Sequence, residues 1–195
     1  MYSNDELFDI RDENGARTGE TMPRGEVHRT GALHGSVHIW VIRGRFHGFE
    51  VLVQKCADDK DSYPGCYDAA VTGHIDSGED PLGAAVREMG EEIGVYAKPA
   101  SLIPLMRRRV SEDNVFHGER FINNEITWVY LYRGEVPDAT VKFEREEISE
   151  VRWADGKARV KAVMAGNKDY CIDYDELIEV LRVVHMSSDY TRHMF

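Results

Sequence analysis

The sequence predicts one domain of the α/β class, built in layers around a mixed β-sheet. Strand-length runs of alternating or continuously apolar residues occur on both sides of residues 81–93, where the apolar residues instead recur at helical spacing. A further helical pattern lies near the C-terminus. Chains that alternate strands and helices form layers of helix on sheet. With 195 residues, 42% of them hydrophobic, the chain is long enough for one well-filled core and an extension.

Residues 1–35 are predicted to be a polar N-terminal extension. Residues 7–10 have the composition of a short strand, and the Asp-Glu-Asn-Gly run at 12–15 is typical of a tight turn. We therefore expect a small hairpin that packs on the main domain and is not a separate domain.

The core is expected over residues 36–156, followed by C-terminal helices and a tail at 157–195, all within a single domain. Residues 111–124 are polar and predicted to be irregular, and the last nine residues are predicted to fray. Strands are predicted at 37–42, 50–55, 67–72, 102–110, 126–132 and 148–153, and helices at 157–165 and 173–186.

A central helix is predicted from Pro81 to the residue before Gly94. Proline suits the first helical turn because its missing N–H would have no partner there, and glycine commonly ends a helix. Asp80 or Ser77 could cap the start. The apolar stripe consists of Leu82, Val86, Met89 and Ile93.

Three carboxylates, Glu88, Glu91 and Glu92, project from another face of this helix. Arg87 can meet Glu91 one turn on, but one guanidinium does not balance three negative charges. Carboxylate oxygens are the ligands that Mg²⁺ and Mn²⁺ prefer. A metal site and a solvated acidic face both remain open from these residues alone.

The same stretch resembles the Nudix box. The matching residues are Gly73, Glu79, Arg87-Glu88, Met89, Glu91-Glu92, Gly94 and Val95. The resemblance implies a Nudix-type α/β/α sandwich over about residues 36–156, and a loop–helix–loop that holds Mg²⁺ or Mn²⁺ against a diphosphate. It also implies Glu88 and Glu92 as main metal ligands, Glu91 as an assisting ligand and catalytic candidate, Gly73 at the metal-bearing turn, and Arg87 as the residue that orients the carboxylates.

The leader resembles the Nudix branch that includes isopentenyl diphosphate isomerase, through His28-Arg29 and Leu33-His34. The resemblance implies that His34 and His74 face the site, as metal ligands or as substrate contacts. His28 lies one residue too near His34 for this pattern. The alternative is that these residues and His38 are ordinary strand and loop histidines.

Two departures from the isomerase pattern favour hydrolysis. Thr72 stands where the isomerase has a reactive cysteine, and Asn123-Asn124-Glu125 stands where it has Glu-Asn-Glu. The predicted function is a Nudix hydrolase that cleaves a diphosphate linked to an organic moiety. An isomerase-like enzyme and a non-catalytic ligand sensor remain as alternatives.

Hydrolysis also needs a base for the attacking water and cations for the phosphates. Candidate bases are Glu125, a box glutamate, and the loop residues Glu144, Glu146 and Glu147. Arg107 and Arg109 are candidate phosphate ligands, although in a run with Arg108 only one or two side chains of a strand can face a pocket.

Composition restricts partners and location. The net charge of −11 argues against binding to nucleic acid polymers or anionic membranes and allows a small diphosphate held through a metal. The three cysteines include no Cys-x-x-Cys pair, and neither a signal segment nor a membrane-length apolar run is present. We expect a cytoplasmic protein, and the sequence is compatible with a homodimer without specifying one.

Overall fold

The computed structural model describes residues 6–45, 48–58, 60, 62–136 and 148–192, with the backbone alone for residues 45 and 185–192. This part of the chain forms nine strands, four α-helices and one 3₁₀ turn at Pro99–Ser101. The strands are β1 (Leu7–Arg11), β2 (Arg17–Pro23), β3 (His34–Arg45), β4 (Gly48–Cys56), β5 (Tyr67–Asp68), β6 (Val71–His74), β7 (Leu102–Phe116), β8 (Glu119–Tyr132) and β9 (Ile148–Asp155). The helices are α1 (Arg24–Thr30), α2 (Pro81–Ile93), α3 (Gly156–Met164) and α4 (Tyr174–Arg192).

Seven strands form a mixed sheet in the order β5-β4-β3-β8-β7, with β6 paired to β3 and β9 paired to β4. The β3–β8 pair is parallel, and the other pairs are antiparallel. The central strand β3 is apolar on both faces because both are covered. Val37 and Ile39 pack against α2, whereas Trp40 and Ile42 pack with the buried residues of α4. The sheet therefore lies between two helical layers, which confirms the predicted α/β class.

Helix α2 begins and ends where the sequence predicts. The Asp80 side chain accepts hydrogen bonds from the backbone N–H groups of Leu82 and Gly83, and Gly94 ends the helix with a φ of 68°. Met89 and Ile93 are fully buried against the sheet. Asp80 is therefore the cap, while the Ser77 hydroxyl donates to Asp9 of β1.

The N-terminal hairpin is confirmed as β1 and β2, which pair with each other. Helix α1, which follows it, was not expected from the sequence. Its seven residues include one buried apolar side chain, Val27, so the segment carries no helical periodicity that a sequence could reveal. Contacts with β8 supply the stability that the short helix lacks.

Two other expectations are wrong in detail. Residues 111–124 are not irregular, because β7 and β8 form a long hairpin that turns at His117 and Gly118. The outer half of β7 alternates between exposed and half-buried positions, which explains its polar composition. The helix expected at 173–186 is longer than predicted, since the α4 backbone continues to Arg192, and residues 193–195 lie outside the described residues. Within the described residues, none of the helices combines the length and apolar character needed to cross a membrane.

Candidate active site

A cavity of about 670 Å³ lies between the end of α2, the sheet and the start of α4. Strands β3, β6, β7 and β8 contribute to its wall. Its polar lining includes Ser36, His38, Thr72, Gly73, His74, Glu88, Glu91, Glu92, Arg108, Asn123, Glu125 and Asp173.

The three glutamates of α2 reach this cavity from one helical face. Glu92 is buried, and its Oε2 accepts a hydrogen bond of 3.0 Å from the backbone N–H of Thr72. The Glu88 side chain lies against Gly73, where an added Cβ would fall 2.1 Å from the Glu88 carboxyl carbon. The Glu91 side chain is half exposed. The absence of a side chain at residue 73 therefore decides where the Glu88 carboxylate can lie.

Arg87 connects α2 to the turn that precedes it. Its Nη1 donates to Glu88 at 2.8 Å and to Glu91 at 2.9 Å, while Nη2 donates to Glu79 and to the His74 carbonyl, each at 2.9 Å. Burial lowers the pKa of Arg87, but the hydrogen bonds and charges of Glu79 and Glu88 outweigh it and raise that pKa. One guanidinium thus faces several carboxylates, and the excess of oxygen ligands and negative charge suits a hard divalent cation.

A second group of possible ligands lies at the same end of the sheet. One ring nitrogen from each of His28, His34 and His74 falls within 4.8 Å of the others. Both ring nitrogens of His28, and Nε2 of His34, are buried without a hydrogen-bond partner in the described part of the chain. Buried polar atoms without partners are costly, so a metal ion that accepts the lone pairs of these imidazoles would fit the cluster.

Glu125 of β8 completes this histidine cluster. Its Oε1 lies 3.3 Å from His34 Nε2, without hydrogen-bond alignment, and 3.4 Å from His74 Nε2, while the Ser36 hydroxyl donates to its Oε2. Burial would raise the pKa of Glu125, but the two histidines lower it well below its usual range. Burial lowers the pKa of His28 to about 2 and that of His74 to about 4. Neutral imidazoles beside an ionised carboxylate fit a transition-metal ion.

The arginines of β7 separate by strand alternation. Arg108 lines the cavity, where its Nη1 donates to Asp173 at 2.7 Å and to Glu176 at 3.0 Å. Arg107 donates instead to the Asn14 carbonyl. Arg109 bonds Asn124 and Glu13. The expectation that Arg107 and Arg109 contact substrate is therefore corrected: these two side chains hold the N-terminal hairpin, and Arg108 faces the cavity.

The sequence reasoning missed the contribution of α4. Glu176 is almost fully buried and accepts hydrogen bonds from His38, Trp40 and Arg108. No motif marks Glu176, and a carboxylate on an amphipathic helix is ordinarily assigned to solvent. His38 bonds Glu176 and is not part of the histidine cluster. The other candidate bases, Glu144, Glu146 and Glu147, lie outside the described residues.

Comparisons with known proteins agree with this architecture. The model of the NUDIX domain family matches residues 32–165. The chain is 37% identical over 154 residues to Nudix hydrolase 3 of Arabidopsis thaliana, covering 76% of this chain but only 19% of that protein's length. It is 34% identical over 140 residues to an isopentenyl-diphosphate Delta-isomerase of Dinoroseobacter shibae, covering 70% of this chain and 73% of that one. A crystal structure of a Deinococcus radiodurans protein superposes with a TM-score of 0.60 at 23% identity, covering 83% of this chain and 90% of that one.

The matched segment includes β3, the whole of α2 with its carboxylates, and the sheet that surrounds them. Sequence motif, fold and family match thus agree, and the chain belongs to the Nudix hydrolase family.

Proposed function

We propose that this protein is a Mg²⁺- or Mn²⁺-dependent hydrolase that cleaves a diphosphate linked to an organic moiety. The observation that carries the proposal is the arrangement of Glu88, Glu91 and Glu92 in one cavity, with Arg87 and Gly73 placing their carboxylates. The hydrolase names among its relatives support the same reaction class.

Glu88, Glu91 and Glu92 would hold the metal. When bound, the ion supplies positive charge to the phosphate oxygens and lowers the pKa of water. The protein residues bind and orient the substrate, and Arg108 offers guanidinium donors on the opposite wall. Water attacks one phosphorus, the bond from that phosphorus to the bridging oxygen breaks, and a carboxylate of the box accepts the water proton.

Glu125 is a poor candidate for that base. Its carboxylate is buried and both oxygens are already engaged, because Oε1 faces His34 and His74 and Oε2 accepts a hydrogen bond from the Ser36 hydroxyl. We propose that Glu125 instead belongs with His28, His34 and His74 to a second metal-binding group that would hold a transition-metal ion such as Mn²⁺ or Zn²⁺.

The histidine cluster also favours a second candidate function, isomerisation of an allylic diphosphate. A named isomerase is among the relatives, and the resemblance noted above places histidines at its metal. Against it, Thr72 and Asn123 line the cavity where the isomerase pattern has a thiol and a carboxyl group. A threonine hydroxyl and an amide are much weaker proton donors than these groups. Hydrolysis is therefore the first proposal.

A substrate screen with Mg²⁺ and with Mn²⁺ tests both proposals. It would include nucleoside triphosphates, nucleotide sugars, dinucleotides, thiamine diphosphate and isopentenyl diphosphate, with phosphate, pyrophosphate and allylic product detected. Metal-dependent release from one class supports the hydrolase and names its substrate. Conversion of isopentenyl diphosphate to its isomer without phosphate release would support the second candidate instead.

The variant Glu92→Gln tests the metal assignment. We expect it to reduce metal-dependent turnover at least a hundredfold while the protein stays folded, because the amide removes the charge and keeps the shape. Glu20→Gln, at an exposed position of β2, is the matched control and should retain full activity. Normal turnover by Glu92→Gln would refute the assignment.

A further inference from the structure

The buried end of α4 holds His38 in one orientation. His38 Nδ1 lies 2.9 Å and 3.1 Å from the two carboxylate oxygens of Glu176, and Trp40 Nε1 donates to the same carboxylate at 2.9 Å. Because a carboxylate only accepts, Nδ1 carries a proton. Nε2, at the other side of the ring, has no hydrogen-bond partner within the described part of the chain. His38 lines the cavity, so this nitrogen is available to a ligand there.

The charge of His38 makes it a donor at neutral pH. Burial alone would lower the pKa of His38, but the charge and hydrogen bond of Glu176 raise it to about 9. The imidazolium therefore presents Nε2–H to the cavity. Arg108 donates to Glu176 of α4 and to Asp173, the residue before that helix. Asp68 also lines this part of the cavity and acts on His38, so the wall carries charges of both signs, and His38 Nε2–H is the charged donor that an anion can meet here.

Thr72 lies directly beside His38. The two residues are opposed in the antiparallel β3–β6 pair, so their side chains leave the sheet on the same face. Gln54 Nε2 donates to Thr72 Oγ1 at 3.1 Å, which leaves the threonine proton for another acceptor. The backbone N–H of Thr72 donates to Glu92. The hydroxyl and the imidazolium therefore lie beside a carboxylate assigned above to the metal.

We propose that His38 and Thr72 together bind a non-bridging oxygen of a substrate phosphate, with Glu176 as the positioning residue for His38. The proposal rests on the proposed function, since it takes a diphosphate as the ligand. It assigns the part of the cavity wall beside Glu92 to a phosphate oxygen that the α2 carboxylates themselves cannot bind. Two adjacent donors, one of them charged, are the donor set expected for a phosphoryl oxygen.

Binding of methylenediphosphonate in the presence of Mg²⁺, measured by isothermal titration calorimetry, tests this pair without turnover. We expect Thr72→Val to weaken binding about two- to tenfold and His38→Gln about ten- to a hundredfold, from the usual values of neutral and charged hydrogen bonds. Thr72→Ser should bind like the wild-type protein. Thr21→Val, on the exposed hairpin strand β2, is the matched control and should have no effect. Wild-type affinity in both Thr72→Val and His38→Gln overturns the proposal, as does a wild-type protein that fails to bind at millimolar probe.

Glu176→Gln separates positioning from a purely structural role. The charged groups that act on His38 are Glu176, Asp68 and Glu125, with Arg108 acting through Glu176. Without the Glu176 charge, burial lowers the pKa of His38 while Asp68 and Glu125 raise it, so the pKa falls back toward its ordinary value of about 6.5 and the proton is lost between about pH 6 and pH 8. The ratio of wild-type to variant affinity should therefore rise about tenfold over this range. A ratio that does not change with pH contradicts the positioning role.

The outcome is distinguishable from that of the hydrolase proposal. If the protein hydrolyses diphosphates but His38→Gln and Thr72→Val bind the probe normally, the phosphate site is refuted and the hydrolase stands. If Glu92→Gln and the wild-type protein are equally inactive but the two variants bind the probe more weakly, the phosphate site stands and the hydrolase is refuted.

Discussion

Gly73 determines where a carboxylate of the cavity can lie. It is the β6 residue against which the Glu88 side chain packs, and a Cβ there would overlap the Glu88 carboxyl group. The motif predicts a glycine at this position but gives no reason for it. The structure supplies one, because the space of the missing side chain is filled by the carboxylate and not by another backbone segment.

We expect Gly73→Ala to lower metal-dependent kcat/KM about 10–100-fold, because the methyl group displaces Glu88 from its ligand position. Mn²⁺ affinity, measured by electron paramagnetic resonance, should fall with it. Gly90→Ala in α2 is the matched control. The atoms nearest to its Cβ belong to the exposed ring of Tyr96, which can rotate away, so we expect normal turnover and up to about 1 kcal/mol of added stability. Equal activity in the two variants would contradict the account of Gly73.

The His38–Glu176 pair makes stability depend on pH in a defined window. The raised pKa of His38, about 9, contributes stability that is full below the unfolded value of 6.5 and is lost as the pH rises through 9. The lowered pKa of Glu176, about 2, contributes stability that is full above 4.5 and is lost as the pH falls through 2. The pair therefore stabilises the fold most between about pH 4.5 and pH 6.5.

Urea denaturation checks this window. The free energy of unfolding should be larger for the wild-type protein than for the double variant His38→Gln/Glu176→Gln. This difference should be greatest near pH 5.5. The difference should shrink toward pH 9. A difference that grows between pH 6.5 and pH 9 would show that the sign is wrong.

At the scale of elements, the N-terminal hairpin is part of the candidate site. Phe8 of β1 is fully buried and stacks on the ring of His74, with centroids 4.7 Å apart. Asp9 accepts hydrogen bonds from the Ser77 hydroxyl at 2.8 Å and from the Gly78 N–H at 2.9 Å, in the turn before α2. A two-stranded hairpin is barely stable alone, so docking on this turn stabilises both parts.

Asp9→Ala should therefore reduce the free energy of unfolding by about 2 kcal/mol, since it removes the charged acceptor of two partly buried hydrogen bonds. Chemical denaturation measures the loss. Glu20→Ala, on the exposed strand β2, should change stability by less than about 0.5 kcal/mol. If Asp9→Ala is as stable as this control, the hairpin does not support the turn.

Element-level alternation also decides which arginine faces the cavity. In a run of three consecutive arginines, the sequence is the same whether the middle side chain or the two outer side chains face the cavity. A shift of the strand pairing by one residue exchanges these two arrangements. The β7–β8 pairing places Arg108 on the α4 side and leaves Arg107 and Arg109 for the hairpin. The sequence indicates that only one or two of the three arginine side chains can face the cavity, but it does not indicate which.

At the scale of the whole molecule, two groups of possible metal ligands lie at one end of the sheet. The carboxylates of α2 suit a hard cation, and the histidine cluster with Glu125 suits a softer one. The histidine cluster with Glu125 joins segments far apart in the chain, so an ion bound there would stabilise the fold as a whole. A cytoplasmic location and a homodimer stay predictions of the sequence.

Metal binding should accordingly raise the melting temperature. At 100 times the dissociation constant a ligand adds about 2.7 kcal/mol, which corresponds to about 5–10 °C for a chain of this size. We expect this shift when Mn²⁺ is added to chelator-treated protein in calorimetry. His74→Gln should retain only part of the shift, because the amide is a weak ligand. An unchanged melting temperature with added Mn²⁺ would refute both metal sites.

The local pattern of residues was sufficient to predict α2, its caps, the carboxylates and the α/β class. Each depends on short-range periodicity or on a motif with fixed spacing. Such local features do not depend on how the rest of the chain is arranged, provided that the apolar stripe of the helix is buried. The long-range pairings were not predictable from the residues themselves, and only the family resemblance implied that His34 and His74 face the site. The convergence of His28, His34, His74 and Glu125, the burial of Glu176 under the sheet and the choice of Arg108 depend on strand order, register and helix docking. These are set by which surfaces bury together, and no contiguous stretch of the sequence contains that information.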